Sequence, residues 1–360
     1  MSLRVQRIFI PFYTVSNMAA KESKPIMTFI IMLIALGASI ILATMYGGVI
    51  IPFEETVRIL LSLFPFVHFD YDPMYETILV QIRFARVVVA GLVGAALAIS
   101  GVVMQSLFRN PMADPGIIGV SSGGAFGGVM AIYFGLSAVH SLFIPLLGFL
   151  MALLTLFTVY MISTNHGKTS MLTLLLTGIA ISSFLSACTS LLISFSNAGV
   201  MLQIVQWLMG DLNGRDWSHV QILIGPVLLG MAIFMYYAND LDIFLLGEEQ
   251  AQNMGISIHR TRNLLLVAAS LVTGMSVALT GAIGFVGLIV PHMVRMIIGP
   301  VHKHLLLNSA LAGAAFLILA DLLARLIIRP AEIQIGIITA FLGAPFFLYL
   351  IIRHKKKGEL

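Results

Sequence analysis

Apolar runs of about twenty residues recur from residue 26 to residue 352 of this 360-residue chain, and they restrict the folds open to it more than any other feature. A helix of about 20 residues crosses the roughly 30 Å hydrocarbon core of a bilayer with its backbone polar groups bonded inside the segment. Charged residues make up only 10 % of the chain, against about 25 % in a soluble domain. A membrane β-barrel would instead show short segments of alternating polarity. The sequence therefore predicts an all-α polytopic membrane protein. Its spans are expected at roughly 26–47, 84–107, 116–136, 141–163, 170–195, 218–238, 262–281, 283–299, 307–328 and 334–353, about ten in all.

Charge placement orients these spans. With the N-terminus inside, fourteen of the twenty Lys and Arg fall on the cytoplasmic side, so both termini are expected in the cytoplasm. Residues 1–25 then form a cytoplasmic N-terminal segment, 26–353 a single transmembrane domain and 354–360 a basic tail. The first apolar run is too long for a signal-peptide core and is read as an uncleaved span. In such a chain the net charge of +4 points to no nucleic-acid partner; the neighbour it implies is membrane lipid. Cys188, the single cysteine, excludes an intrachain disulfide and a Cys-rich metal site.

Three segments between spans are long enough to carry function. Residues 48–82 are expected outside, with acids at Glu54, Glu55, Asp70, Asp72 and Glu76. Residues 196–217 are also expected outside, with Trp207 and Trp217 suited to an interfacial belt. Residues 239–261 face the cytoplasm, where Gly247 and Gly255 bracket the short helix-prone segment EEQAQNM. A small acidic helix between glycine hinges suits docking into a groove of a soluble partner; the plainer reading is a solvated loop.

Helix breakers and polar groups gather in one stretch, MQSLFRNPMADPGIIGVSSGGAFGG, Met104 to Gly128. Pro111 and Pro115 stop the second span. Gly119 and Gly123, one turn apart, predict a close-packing stripe on the third. Gln105, Arg109, Asn110 and Asp114 make a polar corner, readable as solvated surface or as part of a gate. No Lys follows these glycines, and HGKTS at 166–170 lacks the Walker A glycine, because Ile162 stands in its place. No ATP site is evident on the chain. A weak repeat at an offset of 180 matches Gly94, Ala98, Gly101, Pro111, Ile117, Ile118 and Gly119 with Gly274, Ala278, Gly281, Pro291, Ile297, Ile298 and Gly299. Such repeats with broken helices characterise transporters.

The remaining polar groups narrow the class. Asp321 is the only acid inside a span, and Arg325, four residues on, is placed to pair with it. An ion-coupled secondary transporter would bury more ionisable groups. Paired carboxylates, HExxH and G-x-S-x-G are lacking, so no enzyme is indicated. Thr173, Thr177, Ser182, Ser186 and Ser190 mostly share one face of the fifth span, either bonded to their own helix or forming a mildly polar wall. Arg83, Arg86 and Arg325 lie at outer span ends, where snorkelling to headgroups is the plain reading. The nine histidines show no metal-ligand spacing.

RNPMADPGIIGVSSGGAFG, GAIGFVGLIVPHMVR, PAEIQIGIITAFLGAPFFLYL and LGEEQAQNMGISIHRTR together resemble signatures of the iron-chelate/cobalamin permease family of bacterial ABC importers. The resemblance covers about residues 80–353 in the family's order. It implies the type II ABC importer permease fold, with ten spans in inverted-repeat halves, in a bacterial cytoplasmic membrane. It implies a homodimer around a central path, two ATPase subunits that carry the ATP and Mg, and a substrate-binding protein outside. No cofactor or catalysis is implied for this chain. Gly247, Glu248, Glu249, Ala251 and Gly255 would couple to the ATPase. Arg83, Arg86 and Arg325 would receive glutamates of the binding protein, with Arg329 and Glu332 as further docking groups. Gln105, Asn110, Gly119, Ser121, Ser122, Gly123, Thr177, Ser182 and Ser186 would line the path or gate. The expected cargo is haem or a ferric siderophore, with cobalamin as the alternative.

Overall fold

The computed structural model of the chain describes residues 18–47, 50–62, 69–165, 168–245, 247, 252–254 and 257–357. Its main elements, in order, are α1 (Met18–Met45), α2 (Phe53–Ser62), α3 (Pro73–Leu107), α4 (Val120–Tyr133), α5 (Phe143–Ser163), α6 (Met171–Ser194) and α7 (Ala198–Leu208). They continue with α8 (Trp217–Tyr236), α9 (Ala238–Phe244), α10 (Ile258–Thr280), α11 (Val286–Ile298), α12 (His302–Leu326) and α13 (Ile335–Lys357).

Among the described residues, seven helices are long and apolar enough to cross a membrane: α3, α5, α6, α8, α10, α12 and the Lys24–Met45 part of α1. The expected spans 116–136 and 283–299 are shorter than a crossing. They fall on α4, of 14 residues, and α11, of 13 residues. At 1.5 Å per residue each covers about 20 Å, so the non-helical backbone leading into each must be satisfied by protein rather than lipid. The second span starts earlier than expected, at Pro73, and its Thr77–Phe84 stretch is wound as a π-helix. Two segments expected as connecting chain contain helices, α2 and α7.

α3, α10 and α12 form the buried centre, whereas α1 and α6 are mostly outward-facing. Glycine sets the central approach. A Cβ on Gly94 of α3 would collide with the backbone of Gly313 on α12, and one on Gly313 with Gly94 and Ala98. Small residues let two helix backbones touch where lipid supplies no hydrophobic drive between helices.

The repeat is real, but its spacing changes along the chain. Gly313 packs on Ala98, and Gly148 of α5 packs on Ala278 of α10. Gly287 of α11 lies on Leu97, and Gly124 of α4 lies on Val277. Leu97 and Ala98 map onto Val277 and Ala278 at the expected offset of 180, but Gly148 maps onto Gly313 at 165 and Gly124 onto Gly287 at 163. The connection in the second half is shorter, 281–285 against 108–119. The expected matches of Pro111, Ile117, Ile118 and Gly119 with Pro291, Ile297, Ile298 and Gly299 are therefore not structural equivalents. The former lie in the connection before α4, the latter in and just after α11.

Candidate functional site

The polar corner follows the end of α3. The Asn110 side chain accepts from Met112 N at 2.9 Å and that of Asp114 from Gly116 N at 2.8 Å, two local turns that replace helical bonds. Pro115–Ile118 is one 3₁₀ turn, closed by Gly119 at φ 85°. A Cβ on Gly119 would lie 3.0 Å from Ser182 Oγ and 3.1 Å from the Gly178 carbonyl, so the structure brings Gly119 and Ser182 together. Ser121 and Ser122 are half-buried in the first turn of α4; on α6, Thr177 is half-buried and Ser186 exposed.

One expectation for this corner changes. Gln105 is 1 % exposed, and its Nε2 donates to the Leu288 carbonyl at 2.9 Å. It ties α3 to α11 inside the bundle rather than standing on a path wall. Gly119 and Gly123, one turn apart as expected, both face Thr155 of α5. The stripe continues to Gly127 and is set against Thr155, Met151 and Leu147 of α5. Gly124 and Gly128 face the other way, towards Val277 and Trp207.

The second break is packed on the first. A Cβ on Gly101 would strike the Gly287 carbonyl, and one on Gly287 would lie 2.7 Å from Pro115. Between α10 and α11 the chain runs through Gly281 at φ 71° and Phe285 at φ 70°. The segment after α7 fills this gap: Asp211 N donates to the Thr280 carbonyl at 2.7 Å, and Gly336 N to Met209 at 3.0 Å. Trp207, expected in an interfacial belt, is 4 % exposed and donates Nε1 to the Ala125 carbonyl at 3.2 Å. Its indole lies on Gly128 of α4, where any side chain would collide with the ring. A cavity of about 450 Å³ opens beside the break, lined by Met209, Ala282, Gly284, Gly336 and Phe341 among others.

At the end of the bundle where α1 stops, five charged groups converge. The last carbonyls of α1 have no helical donors. Arg83 Nη1 donates to Thr44 and Met45 at 2.9 and 3.0 Å. Arg325 donates to Tyr46 and Ala43, both at 3.0 Å. Arg325 Nε also meets Asp321 Oδ2 at 3.0 Å, the pair expected from their spacing. Arg86 holds Asp321 Oδ1 through Nε and Nη2 at 3.0 and 2.8 Å, and Glu332 at 2.9 Å. Arg83 and Arg325 are each 7 % exposed, so in this structure their guanidinium groups are enclosed rather than presented to a partner. The exposed members of this end are Arg329 and Glu332.

The expected coupling segment is described only in part. Gly247 has φ 125°; Glu248, Glu249, Ala251 and Gly255 lie outside the described residues. Preceding them, α9 buries Ala238, Leu241 and Phe244. Asp242 of α9 accepts from His302, whose other ring nitrogen meets Ser106. The sequence reading missed this cluster, because its members stand 60 and 196 residues apart. Ser–His–Asp is also the order of a nucleophilic triad, but Ser106 and His302 are both fully buried and the hydroxyl lies 3.0 Å from its own helix carbonyl at Val102. The arrangement is a tie between helices.

Interlocked helical halves with paired breaks, a cap of buried arginines and a short amphipathic element after α8 define a type II ABC importer permease. Residues 32–353 match the sequence model of the FecCD transport family, and the chain belongs to that family. It is 41 % identical over 334 residues to the uncharacterized ABC transporter permease protein YvrB of Bacillus subtilis, covering 90 % of this chain and 93 % of that one. It is 47 % identical to the cobalamin import system permease protein BtuC of Halobacterium salinarum, over 79 % and 76 % of the two chains. It is 38 % identical to the hemin transport system permease protein HmuU of Yersinia pestis, over 79 % and 86 %. A solved metal-chelate type ABC transporter in an inward-facing conformation aligns with TM-score 0.80 and 33 % identity, over 90 % of this chain and 98 % of that one. The chain is thus a membrane-embedded permease subunit of an ABC importer, a family whose architecture implies ATPase and substrate-binding partners.

Proposed function

We propose that this permease moves haem or a ferric siderophore across a bacterial cytoplasmic membrane by alternating access. It works as a homodimer, with ATP and Mg held by two partner ATPases, no cofactor on this chain, and both termini in the cytoplasm. The observation that best supports passage along this chain is the contact of the two helix breaks at Gly101, Pro115 and Gly287. Broken helices near a repeat interface are where transporters place a path. The cavity at Met209, Gly284 and Phe341 lies at the second of those breaks, through Ala282 and Gly284. Cobalamin is the second reading, favoured by the 47 % identity to a cobalamin permease. Proteoliposomes holding permease, ATPase and binding protein should accumulate labelled hemin or a ferric siderophore when ATP is supplied. Accumulation of cyanocobalamin alone would replace the first reading by the second.

The binding protein is assigned to the arginine end of the bundle. Arg83, Arg86 and Arg325 build this end, and Arg329 and Glu332 meet the partner. Rim charges act on encounter and on salt dependence more than on intrinsic affinity. The double change R329E/E332K should weaken docking several-fold and alter its salt dependence, as read by surface plasmon resonance. Unchanged binding would move the docking site elsewhere.

A further inference from the structure

The cluster of Ser106, His302 and Asp242 joins three helices that meet nowhere in sequence. Asp242 Oδ1 accepts from His302 N at 2.9 Å and from His302 Nδ1 at 2.6 Å. His302 is the first residue of α12, where backbone N–H groups lack helical acceptors. Asp242 therefore caps α12 from another element, and its charge suits that helix end. The same carboxylate fixes the proton of the imidazole on Nδ1, which leaves Nε2 to meet Ser106 Oγ. Ser106 lies next to Gln105, which holds α11, and four residues before Asn110, where the corner turns. Arg295 of α11 approaches the same hydroxyl at 3.5 Å.

We propose that Asp242, His302 and Ser106 form a positioning relay that carries movement of the ATPase-docking segment to the corner between α3 and α4. The proposal rests on the assignment of residues 239–261 to ATPase coupling. Its logic is geometric. Asp242 sits on α9, within that segment and one third exposed, whereas His302 is fully enclosed. A push on α9 therefore acts through one carboxylate on both the start of α12 and, through the ring, the end of α3. Apolar packing of Leu241 and Phe244 seats α9, but a sliding apolar contact sets no direction; two bonds to one carboxylate do.

The test uses the complete importer in proteoliposomes. Two quantities are read: ATP hydrolysis stimulated by the binding protein, and hydrolysis per molecule of labelled hemin or cyanocobalamin imported. S106A and D242A should each raise ATP used per molecule moved by about tenfold, the factor one hydrogen bond to a charged group can control. D242N, whose amide oxygen still accepts from both His302 donors, should restore most of the coupling. The double variant S106A/D242A should be no worse than either single one, since both cut the same relay, whereas independent sites would multiply. Thermal unfolding of each variant separates loss of fold from loss of coupling. Wild-type coupling in S106A and D242A, multiplicative effects in the double variant, or coupling that falls only in step with melting temperature would each overturn the relay. If wild type moves neither probe, the cargo reading fails while the stimulated hydrolysis still reports on the relay. If variants with cross-links between α9 and the ATPase show no contact, the coupling assignment fails first.

Discussion

Arg325 shows what a single side chain holds together. It supplies donors to two carbonyls at the end of α1 and one bond to Asp321, which is 1 % exposed. Breaking a buried ion pair from one side costs about 3–5 kcal/mol, because the remaining charge is stranded. Arg86 still holds Asp321 after the change, so R325Q should lose about 3 kcal/mol, the lower end of that range, measured by thermal unfolding in detergent. R325Q/D321N should lose more than R325Q alone, since Arg86 then keeps only Glu332 as an ionic partner. A double variant as unstable as R325Q would show that the α1 carbonyls, and not the charge, dominate. The Asp321–Arg325 pair was readable in the sequence because it is a one-turn spacing on one helix. Arg86, 235 residues from Asp321, was not, and neither was the use of Arg83 and Arg325 as caps. A span-end arginine looks the same in sequence whether it snorkels outward or turns in to a helix end.

At the scale of the element, the glycines separate into those that must be glycine and those that need not be. A Cβ on Gly127 would strike the Leu147 carbonyl of α5, whereas Gly37 of α1 has nothing within 4 Å. G37A should leave stability unchanged or raise it by up to about 1 kcal/mol through helix propensity. G127A should lower it by roughly 1–3 kcal/mol through overpacking. Equal melting temperatures for the two variants would contradict the close contact of α4 with α5. The start of α8 carries a different device. Asp216 accepts from Ser218 N at 2.9 Å and from His219 N at 3.4 Å, and its own N donates back to His219 Nδ1 at 3.4 Å, completing a capping box. The Ser218 hydroxyl, with His219, holds its carboxyl at about 2, below the ordinary carboxylate range. The cap's contribution is complete above about pH 4 and disappears as pH falls through about 2. D216A should cost about 1 kcal/mol at neutral pH and show a smaller loss on acidification than wild type, as followed by melting between pH 7 and 3. The long helices were legible because twenty apolar residues have few other uses. α2 and α7 were not, because ten or eleven mixed residues between spans read equally well as connecting chain. Trp207 was misplaced for a related reason: the space its indole fills exists only because Gly128 of α4, far away in sequence, carries no side chain.

For the whole molecule, the pairing of helices limits how it can move. α3 belongs to the first half of the repeat and packs on α12 of the second, while α10 of the second packs on α5 of the first. Each half thus clasps the other through its opening helix. The two halves cannot rock apart without tearing the Gly94–Gly313 contact or the Gly148–Ala278 contact. Packed interfaces shift between discrete arrangements rather than stretching, so the large displacement belongs at surfaces that are open in the single chain. These include the outward faces of α6 and α13, where Phe184 and Phe341 are 67 % and 78 % exposed. On the proposed mechanism, alternating access takes place between two copies of the permease, each moving as one interlocked body, with only the corner before α4 adjusting inside it. The position of Gly91 allows this to be tested directly. A Cβ there would lie 3.8 Å from that of Ala314 on α12, the mean separation for a disulfide. Cys188 is the only native cysteine and can be replaced first. Oxidised G91C/A314C should staple α3 to α12 and still transport at close to the reduced rate. Uptake that stops on oxidation and returns on reduction would show that the α3–α12 seam opens in each cycle, and the motion would then have to be placed within the chain.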